Sequence, residues 1–89
     1  MDVTILLGSS SDLPIAQKCT KILEHFDVPY QLRVASAHRS PKFVEQIVGD
    51  AIDDGCSVFI AMAGLAAALP GAVAALTTKP VIGVPCGGR

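Results

Sequence analysis

Four short apolar runs alternate with longer amphipathic stretches along the 89-residue chain, and this alternation constrains the fold more than any other feature. The runs are predicted to be β-strands because they are short, rich in β-branched residues and bounded by glycine or proline. They occupy residues 3–7, 30–35, 57–62 and 81–84. Neither a linker nor a low-complexity segment separates them, so we expect residues 1–89 to form a single domain.

The first stretch between strands predicts a helix from about Leu13. Ser11 or Asp12 is its expected cap, and Pro14 falls in its first turn, where a missing N–H is harmless. Apolar residues recur at three- and four-residue steps, which gives the helix one buried face. That predicted face comprises Ile15, Cys19, Ile22, Leu23 and Phe26.

Two further helices are predicted between the remaining strands. One opens at Ser40 and Pro41 and ends at Gly55, and the other covers residues 66–76, with a break near Pro70 and Gly71. The predicted buried face of the former includes Val44, Ile47, Val48 and Ala51. Strands joined by helices in this order predict a three-layer α/β/α domain around a flavodoxin-like parallel sheet of about four strands.

Ligands of such sheets bind beyond the carboxyl ends of the strands, where loops lead into helix N-termini. This rule selects three loops, at residues 8–12, 36–40 and 63–67, and a fourth at residues 85–89. Every candidate for chemistry in the sequence lies in one of them.

Composition favours a small-molecule ligand and contacts between subunits. Apolar residues make up 51% of the chain and charged residues 17%, a surplus that predicts buried surfaces in a homo-oligomer. A net charge of −1 provides no basic field for nucleic acid or anionic membranes. No unbroken run of eighteen apolar residues predicts a transmembrane helix.

The cysteines indicate a reducing compartment. Cys19, Cys56 and Cys86 are widely spaced, form no C-x-x-C pair and have no histidine at metal-ligand spacing, so no metal site is predicted. The odd number, together with a start that lacks the features of a secretory leader, predicts a cytoplasmic protein with free thiols.

The first loop, G-S-S-S-D at residues 8–12, can bind an anion or can simply cap a helix. Its backbone N–H groups and serine hydroxyls suit phosphate, and Asp12 can accept hydrogen bonds from ribose hydroxyls. Capping explains the same residues, and both interpretations remain open. The loop has neither a P-loop pattern nor a G-x-G-x-x-G pattern, so no ATP or dinucleotide site is predicted.

The second loop, S-A-H-R-S-P at residues 36–41, combines an imidazole, a guanidinium and hydroxyls at a predicted helix N-terminus. Ser36 and Arg39 suit phosphate, and His38 can exchange a proton near neutral pH. An isolated histidine is more often structural, which is our expectation for His25, and for His38 the two interpretations remain balanced.

The third loop, A-G-L-A-A-A-L-P-G at residues 63–71, contains no acid or base. Its small residues would allow backbone N–H groups to approach a planar ring or a carboxylate. Tight packing of helix on sheet explains the same composition equally well.

Together with K-P-V-I-G-V-P at residues 79–85, these segments resemble the signature segments of the N5-carboxyaminoimidazole ribonucleotide mutases, the PurE family. The order and spacing match over essentially the whole chain. The resemblance implies an isomerase of de novo purine (IMP) biosynthesis that moves a carboxyl group from the exocyclic nitrogen of an aminoimidazole ribonucleotide to its ring carbon. It implies no ATP, metal or organic cofactor.

The resemblance also implies roles for individual residues. His38 corresponds to the catalytic acid/base of the family. The implied substrate contacts are Ser9 and Asp12 with ribose, Ser11, Ser36 and Arg39 with phosphate, and Ala63, Gly64 and Leu65 with the base and the migrating carboxylate.

Two departures from the family pattern accompany the resemblance. Ala68 stands where the family often has histidine, and family members continue beyond Arg89, so we expect residues 1–89 to lack the family's C-terminal part. A pyridinium-biscarboxylate nucleotide synthase shares the third loop but differs in the second. Two further interpretations stay open, namely a non-catalytic nucleotide- or phosphate-binding module and a flavodoxin-like domain without a ligand.

Overall fold

The computed structural model describes residues 1–36, 40–64 and 68–86, and the elements within them alternate as predicted. Their bounds are β1 Val3–Leu7, α1 Leu13–His25, β2 Tyr30–Val34, α2 Pro41–Asp53, β3 Val58–Ala63, α3 Ala68–Ala74 and β4 Val81–Pro85, with a short 3-10 helix at Ser10–Asp12 before α1. Strand bounds differ from the predicted ones by at most one residue. Gly55, with a φ of 88°, follows the end of α2 in the left-handed region that favours glycine.

The four strands form one parallel sheet in the order β2-β1-β3-β4. Helix α1 packs on one face, against Ile5 and Leu7, while α2 and α3 pack on the other, against Leu6 and Phe59. This arrangement confirms the predicted three-layer α/β/α fold. All five residues of β1 are buried, because a central strand covered on both faces has no side exposed to water.

The buried face of α2 is the one that its sequence predicts. Val44, Ile47, Val48 and Ala51 are all buried. They join Phe59 in the core cluster on this side of the sheet. Prediction succeeds here because the large apolar residues of α2 fall on a single stripe at helical spacing.

The predicted face of α1 is wrong at two positions. Ile22 is 60% exposed and Phe26, just beyond the helix, is 69% exposed. Ala16 and Thr20 are buried instead, and the Thr20 hydroxyl donates a hydrogen bond to the carbonyl of Gln17 at 3.1 Å. Small side chains allow a helix to approach a sheet closely, so the face of α1 that carries Ala16 and Thr20 lies against the sheet.

The break predicted near Pro70 and Gly71 is also wrong, because α3 runs through both residues. Pro70 is the third residue of the helix, and an N–H in the first turn has no partner within the helix to lose. Pro70 packs against β4, where a Cβ added at Gly83 would lie only 3.2 Å from the Cβ of Pro70. The predicted start at residue 66 lies outside the described residues.

Candidate functional site

Backbone hydrogen bonds continue beyond the carboxyl ends of the strands and hold the predicted loops side by side. The N–H of Gly8 donates to the carbonyl of Met62 at 2.9 Å, and that of Cys86 donates to Ala63 at 2.8 Å. On the other side of β1, the N–H of Ala35 donates to Leu7 at 2.8 Å. Residues that follow all four strands therefore meet at one edge of the sheet.

Ser9 organises the first loop. Its Oγ accepts a hydrogen bond from the N–H of Ser11 at 3.2 Å and lies 2.9 Å from the Ser11 hydroxyl. The N–H of Asp12 donates to the Ser9 carbonyl at 3.1 Å. Ser9 thus caps the 3-10 helix, and this turn presents the hydroxyls of Ser9, Ser10 and Ser11 at the protein surface.

Asp12 occupies the N-cap position of α1, as predicted, but its side chain makes no capping hydrogen bond there. The capping interpretation therefore does not explain the carboxylate. Asp12 is instead buried, with 9% of its surface exposed. Burial, followed by the charge of Asp12 and a hydrogen bond with it, raises the pKa of the Cys86 thiol.

A cleft of about 340 Å³ opens between the ends of β1 and β2. It is lined by Gly8, Ser9, Val34, Ala35, Ser36, Ser40 and Phe43. Ser9 and Ser36, which the sequence places in two separate loops, thus contribute to one cavity. The N–H of Ser40 donates to the carbonyl of Ser36 at 2.9 Å, which places Ser36 close to the start of α2.

Phe43 and Val34 form the apolar wall of this cleft, and the sequence prediction did not include them. Phe43 is 39% exposed, and the guanidinium carbon of Arg33 lies 5.6 Å from the centre of its ring. One signal in the sequence points to Phe43, because it lies in the first turn of α2, next to the second loop and off the buried stripe of that helix. An exposed aromatic residue beside a predicted binding loop is a candidate for ligand contact.

Small residues hold the first and third loops close together. Ala63 is buried and Gly64 is half-buried. A Cβ added at Gly8 would lie 3.5 Å from that of Ala63, in ordinary van der Waals contact. Packing therefore accounts for Ala63, while ligand contacts of Ala63 and Gly64 stay a prediction.

Three of the predicted site residues, His38, Arg39 and Leu65, lie outside the described residues.

In the described ranges no three residues among histidine, cysteine, aspartate and glutamate cluster as metal ligands. No described helix combines the length and apolar character needed to cross a membrane. A larger depression, of about 610 Å³, lies at the opposite edge of the sheet between Ile52 and residues 74–79, away from all predicted loops.

The sequence matches the family described as AIR carboxylase over residues 2–89. The chain belongs to this family. The match spans β1 to β4 and includes all the predicted loops.

Two relatives from archaea share more than half of the aligned residues with this chain. The N5-carboxyaminoimidazole ribonucleotide mutase of Methanocaldococcus jannaschii is 59% identical over 83 residues, which make up 93% of this chain and 51% of that protein. A protein of Methanobrevibacter smithii named "Probable N5-carboxyaminoimidazole ribonucleotide mutase" is 58% identical over 83 residues, 93% of this chain and 24% of its own length. The chain thus spans about half the length of these relatives or less.

A solved structure shows the same AIR carboxylase fold. The crystal structure of Treponema denticola PurE superimposes with a TM-score of 0.91 at 32% sequence identity, over 97% of this chain and 55% of that one. The family resemblance predicted from the loops is therefore confirmed by sequence and by structure.

Proposed function

We propose that the chain provides the substrate site of an N5-carboxyaminoimidazole ribonucleotide mutase of purine biosynthesis. The observation that carries the proposal is the cleft shared by Ser9 and Ser36, since these serines belong to two loops for which the family resemblance implies contacts with ribose and phosphate. The names of the Methanocaldococcus and Methanobrevibacter relatives support the same activity.

Phosphate binding is assigned to Ser11, Ser36 and Arg39. Ser11 is exposed on the turn that leads into α1, and Ser36 lines the cleft close to the start of α2. Helix N-termini favour anions because their first N–H groups lack partners within the helix. Arg39 follows Ser36 by three residues and would add a guanidinium suited to phosphate oxygens.

Ribose binding is assigned to Ser9 and Asp12. A carboxylate accepts hydrogen bonds from vicinal hydroxyls, and Asp12 is not engaged in capping α1. Ser9 lines the cleft, and its Oγ accepts a hydrogen bond from the N–H of Ser11. Ser9 and Asp12 both belong to the first loop, so the ribose would lie against this loop, beside the cleft.

His38 is the proposed proton shuttle. The bond between the exocyclic nitrogen and the carboxyl carbon breaks, which releases carbon dioxide while the His38 imidazolium gives its proton to that nitrogen. The ring carbon then attacks the carbon dioxide, and the neutral imidazole takes the proton that the ring carbon loses. Atoms and protons balance, so the reaction is an isomerisation that requires no cofactor.

Ala63, Gly64 and Leu65 are assigned to the surroundings of the base and the migrating carboxyl group. None of these side chains carries a charge, and Ala63 is buried at the end of β3. An apolar wall excludes water and keeps carbon dioxide close to the ring carbon.

We also infer the setting in which the reaction occurs. Residues 1–89 act as one domain, because both core clusters share the same sheet. Three free cysteines fit the cytoplasm, and exposed apolar residues on β4 and α1 fit a homo-oligomer. The substrate is a small ribonucleotide, and nucleic acid and membranes have no part in the reaction.

The test compares the two histidines of the chain. The protein is incubated with N5-carboxyaminoimidazole ribonucleotide, and formation of the C-carboxylated product is followed by chromatography. His38→Asn should reduce turnover at least 100-fold, the order expected for loss of a general acid/base. The matched control is His25→Asn, because His25 lies exposed at the end of α1, and its turnover should remain that of the wild type.

Equal turnover in His38→Asn and the wild type would refute the shuttle. A wild-type chain that binds the ribonucleotide without converting it would refute the mutase and favour the binding module. Conversion of a pyridinium biscarboxylate nucleotide in place of the aminoimidazole would identify the related synthase.

A further inference from the structure

The candidate cleft has an apolar wall that the residues implied by the family resemblance do not include. Phe43 and Val34 form this wall, and they are 39% and 43% exposed. The rest of the lining is small and largely polar, and it includes Ser9 and Ser36. A cleft lined in this mixed way suits a ligand that carries C–H groups beside its hydrogen-bonding groups.

Phe43 does not belong to the core of α2. The buried residues of that helix are Val44, Ile47, Val48 and Ala51, and Phe43 lies off their stripe, in the first turn. A phenylalanine ring that stays partly exposed forgoes part of the free energy that burial would give. A ligand that covers the ring would recover it, so contact between the ligand and Phe43 is energetically favoured.

Arg33 contacts the ring of Phe43 from β2. Its partner in the register of β1 and β2 is Leu6, which belongs to the core cluster on the α2 side of the sheet, so Arg33 lies on this same face. The guanidinium carbon lies 5.6 Å from the centre of the ring, within the range of a cation–π contact. This contact stabilises the ring in the position in which Phe43 lines the cleft.

We propose that Phe43 is a substrate-contacting residue, whose ring packs against the C–H groups between the ribose and the phosphate, and that Arg33 positions this ring. The inference rests on the proposed function, which assigns the ribose to Ser9 and the phosphate to Ser36. Both serines line the same cleft as Phe43, so the C5′ methylene that joins ribose to phosphate would pass the ring. A methylene has no polar group to desolvate, so its contact with an aromatic ring costs no hydrogen bond.

The contact is tested by NMR without any turnover. The probe is ribose 5-phosphate at saturating concentration, and the ring protons of Phe43 are assigned by comparison with Phe43→Leu. These protons should show nuclear Overhauser effects to the C5′ protons of the sugar phosphate. The ring of Phe26 is the internal control and should show none, because Phe26 lies 69% exposed just beyond α1, on the other face of the sheet.

Kinetics test whether the contact contributes to substrate binding. Phe43→Leu keeps an apolar side chain but removes the ring, so the KM for the ribonucleotide should rise about two- to tenfold. The kcat should change little, because the ring contacts a part of the substrate that does not react. Phe26→Leu makes the same change outside the site and should keep the KM of the wild type.

A double-mutant cycle on KM tests the role of Arg33. Arg33→Met removes the cation and should raise the KM about two- to fivefold, whereas Arg33→Lys keeps a cation and should restore part of the loss. In the Phe43→Leu background Arg33→Met should have no further effect, because Arg33 acts through the ring. An equal effect in both backgrounds would overturn the positioning role.

Absence of Overhauser effects at Phe43, or a KM in Phe43→Leu equal to that of the wild type, would overturn the substrate contact. The two proposals fail separately. An inactive chain whose Phe43 ring contacts ribose 5-phosphate refutes the mutase alone, whereas an active chain whose Phe43→Leu variant keeps the wild-type KM refutes the contact alone.

Discussion

The guanidinium of Arg33 lies over the ring of Phe43, with 5.6 Å between the guanidinium carbon and the ring centre. Arg33 belongs to β2 and Phe43 to the first turn of α2, so this pair ties together the two elements that flank the second loop. Phe43 also lines the candidate cleft. The contact therefore connects the stability of this region with the shape of the site.

We predict a measurable coupling between these two side chains. A double-mutant cycle with Arg33→Met and Phe43→Leu, followed by urea unfolding, should give a coupling of about 0.5–1 kcal/mol, as for an exposed cation–π pair. The same cycle with Lys21→Met in place of Arg33→Met should give none, because Lys21 lies on α1, on the other face of the sheet. Equal couplings in both cycles would show that the Arg33 contact contributes nothing specific.

Most of the fold could be predicted from local patterns. Three strands are largely apolar runs, β2 alternates apolar and polar residues, and α2 has a single apolar stripe, so its buried face follows directly from helical spacing. Helix α1 has two competing stripes. Ile22 and Phe26 continue a stripe of large residues, but Ala16 and Thr20 lie against the sheet. Sequence spacing alone does not decide how closely a helix approaches its sheet.

Two isoleucine-to-valine substitutions test the burial of α1 against that of α2. Ile47→Val on α2 removes a buried methylene and should lower the free energy of unfolding by about 0.5–1.5 kcal/mol. Ile22→Val on α1 is the matched change at an exposed position and should remain within about 0.5 kcal/mol of the wild type. Urea unfolding of dilute protein measures both values. A loss at Ile22 as large as that at Ile47 would show that Ile22 is buried after all.

The candidate site could be predicted only in part. The rule that ligands bind beyond the carboxyl ends of parallel strands selected the loops of Ser9 and Ser36, which the structure brings to one cleft. The role of Phe43 could not be derived in this way. Its significance depends on Arg33, a neighbour in another element, and on side-chain directions that spacing does not specify.

Tyr30 allows a direct test of one electrostatic contact. A hydrogen bond with Glu24 is the largest cause that raises the pKa of its phenol above 10.0. Tyr30 is the only tyrosine and the chain has no tryptophan, so phenolate absorbance reports this residue alone. Glu24→Gln should lower the titration midpoint, whereas Glu45→Gln on α2 should leave it unchanged. Identical midpoints in the wild type and Glu24→Gln would exclude the contact.

The same contact predicts how stability depends on pH. The folded chain holds the phenolic proton more tightly than the unfolded chain, so the stabilising contribution is complete below about pH 10 and is lost as the pH rises through the folded pKa. Urea unfolding between about pH 8 and pH 11 should therefore show a steeper loss of stability in the wild type than in Tyr30→Phe. Parallel pH profiles for the two proteins would contradict this linkage.

The last prediction concerns assembly through β4, one of the two edge strands of the sheet. Among the described strands β4 pairs only with β3, and Ile82 near its middle is 52% exposed. An uncharged edge strand with an exposed isoleucine favours pairing with another chain, because unpaired backbone groups and apolar surface are covered together. We expect this chain to self-associate at micromolar concentration, and sedimentation velocity should show species heavier than the 9.2 kDa monomer.

Ile82→Lys should shift this equilibrium toward the monomer, because a lysine within the edge strand would place a charge in the contact. Thr78→Lys adds the same charge at an exposed position before β4 and is the matched control, so it should sediment like the wild type. A wild-type chain that remains a monomer would exclude self-association. An Ile82→Lys variant that assembles as well as the wild type would instead move the contact away from β4, to the exposed apolar residues of α1.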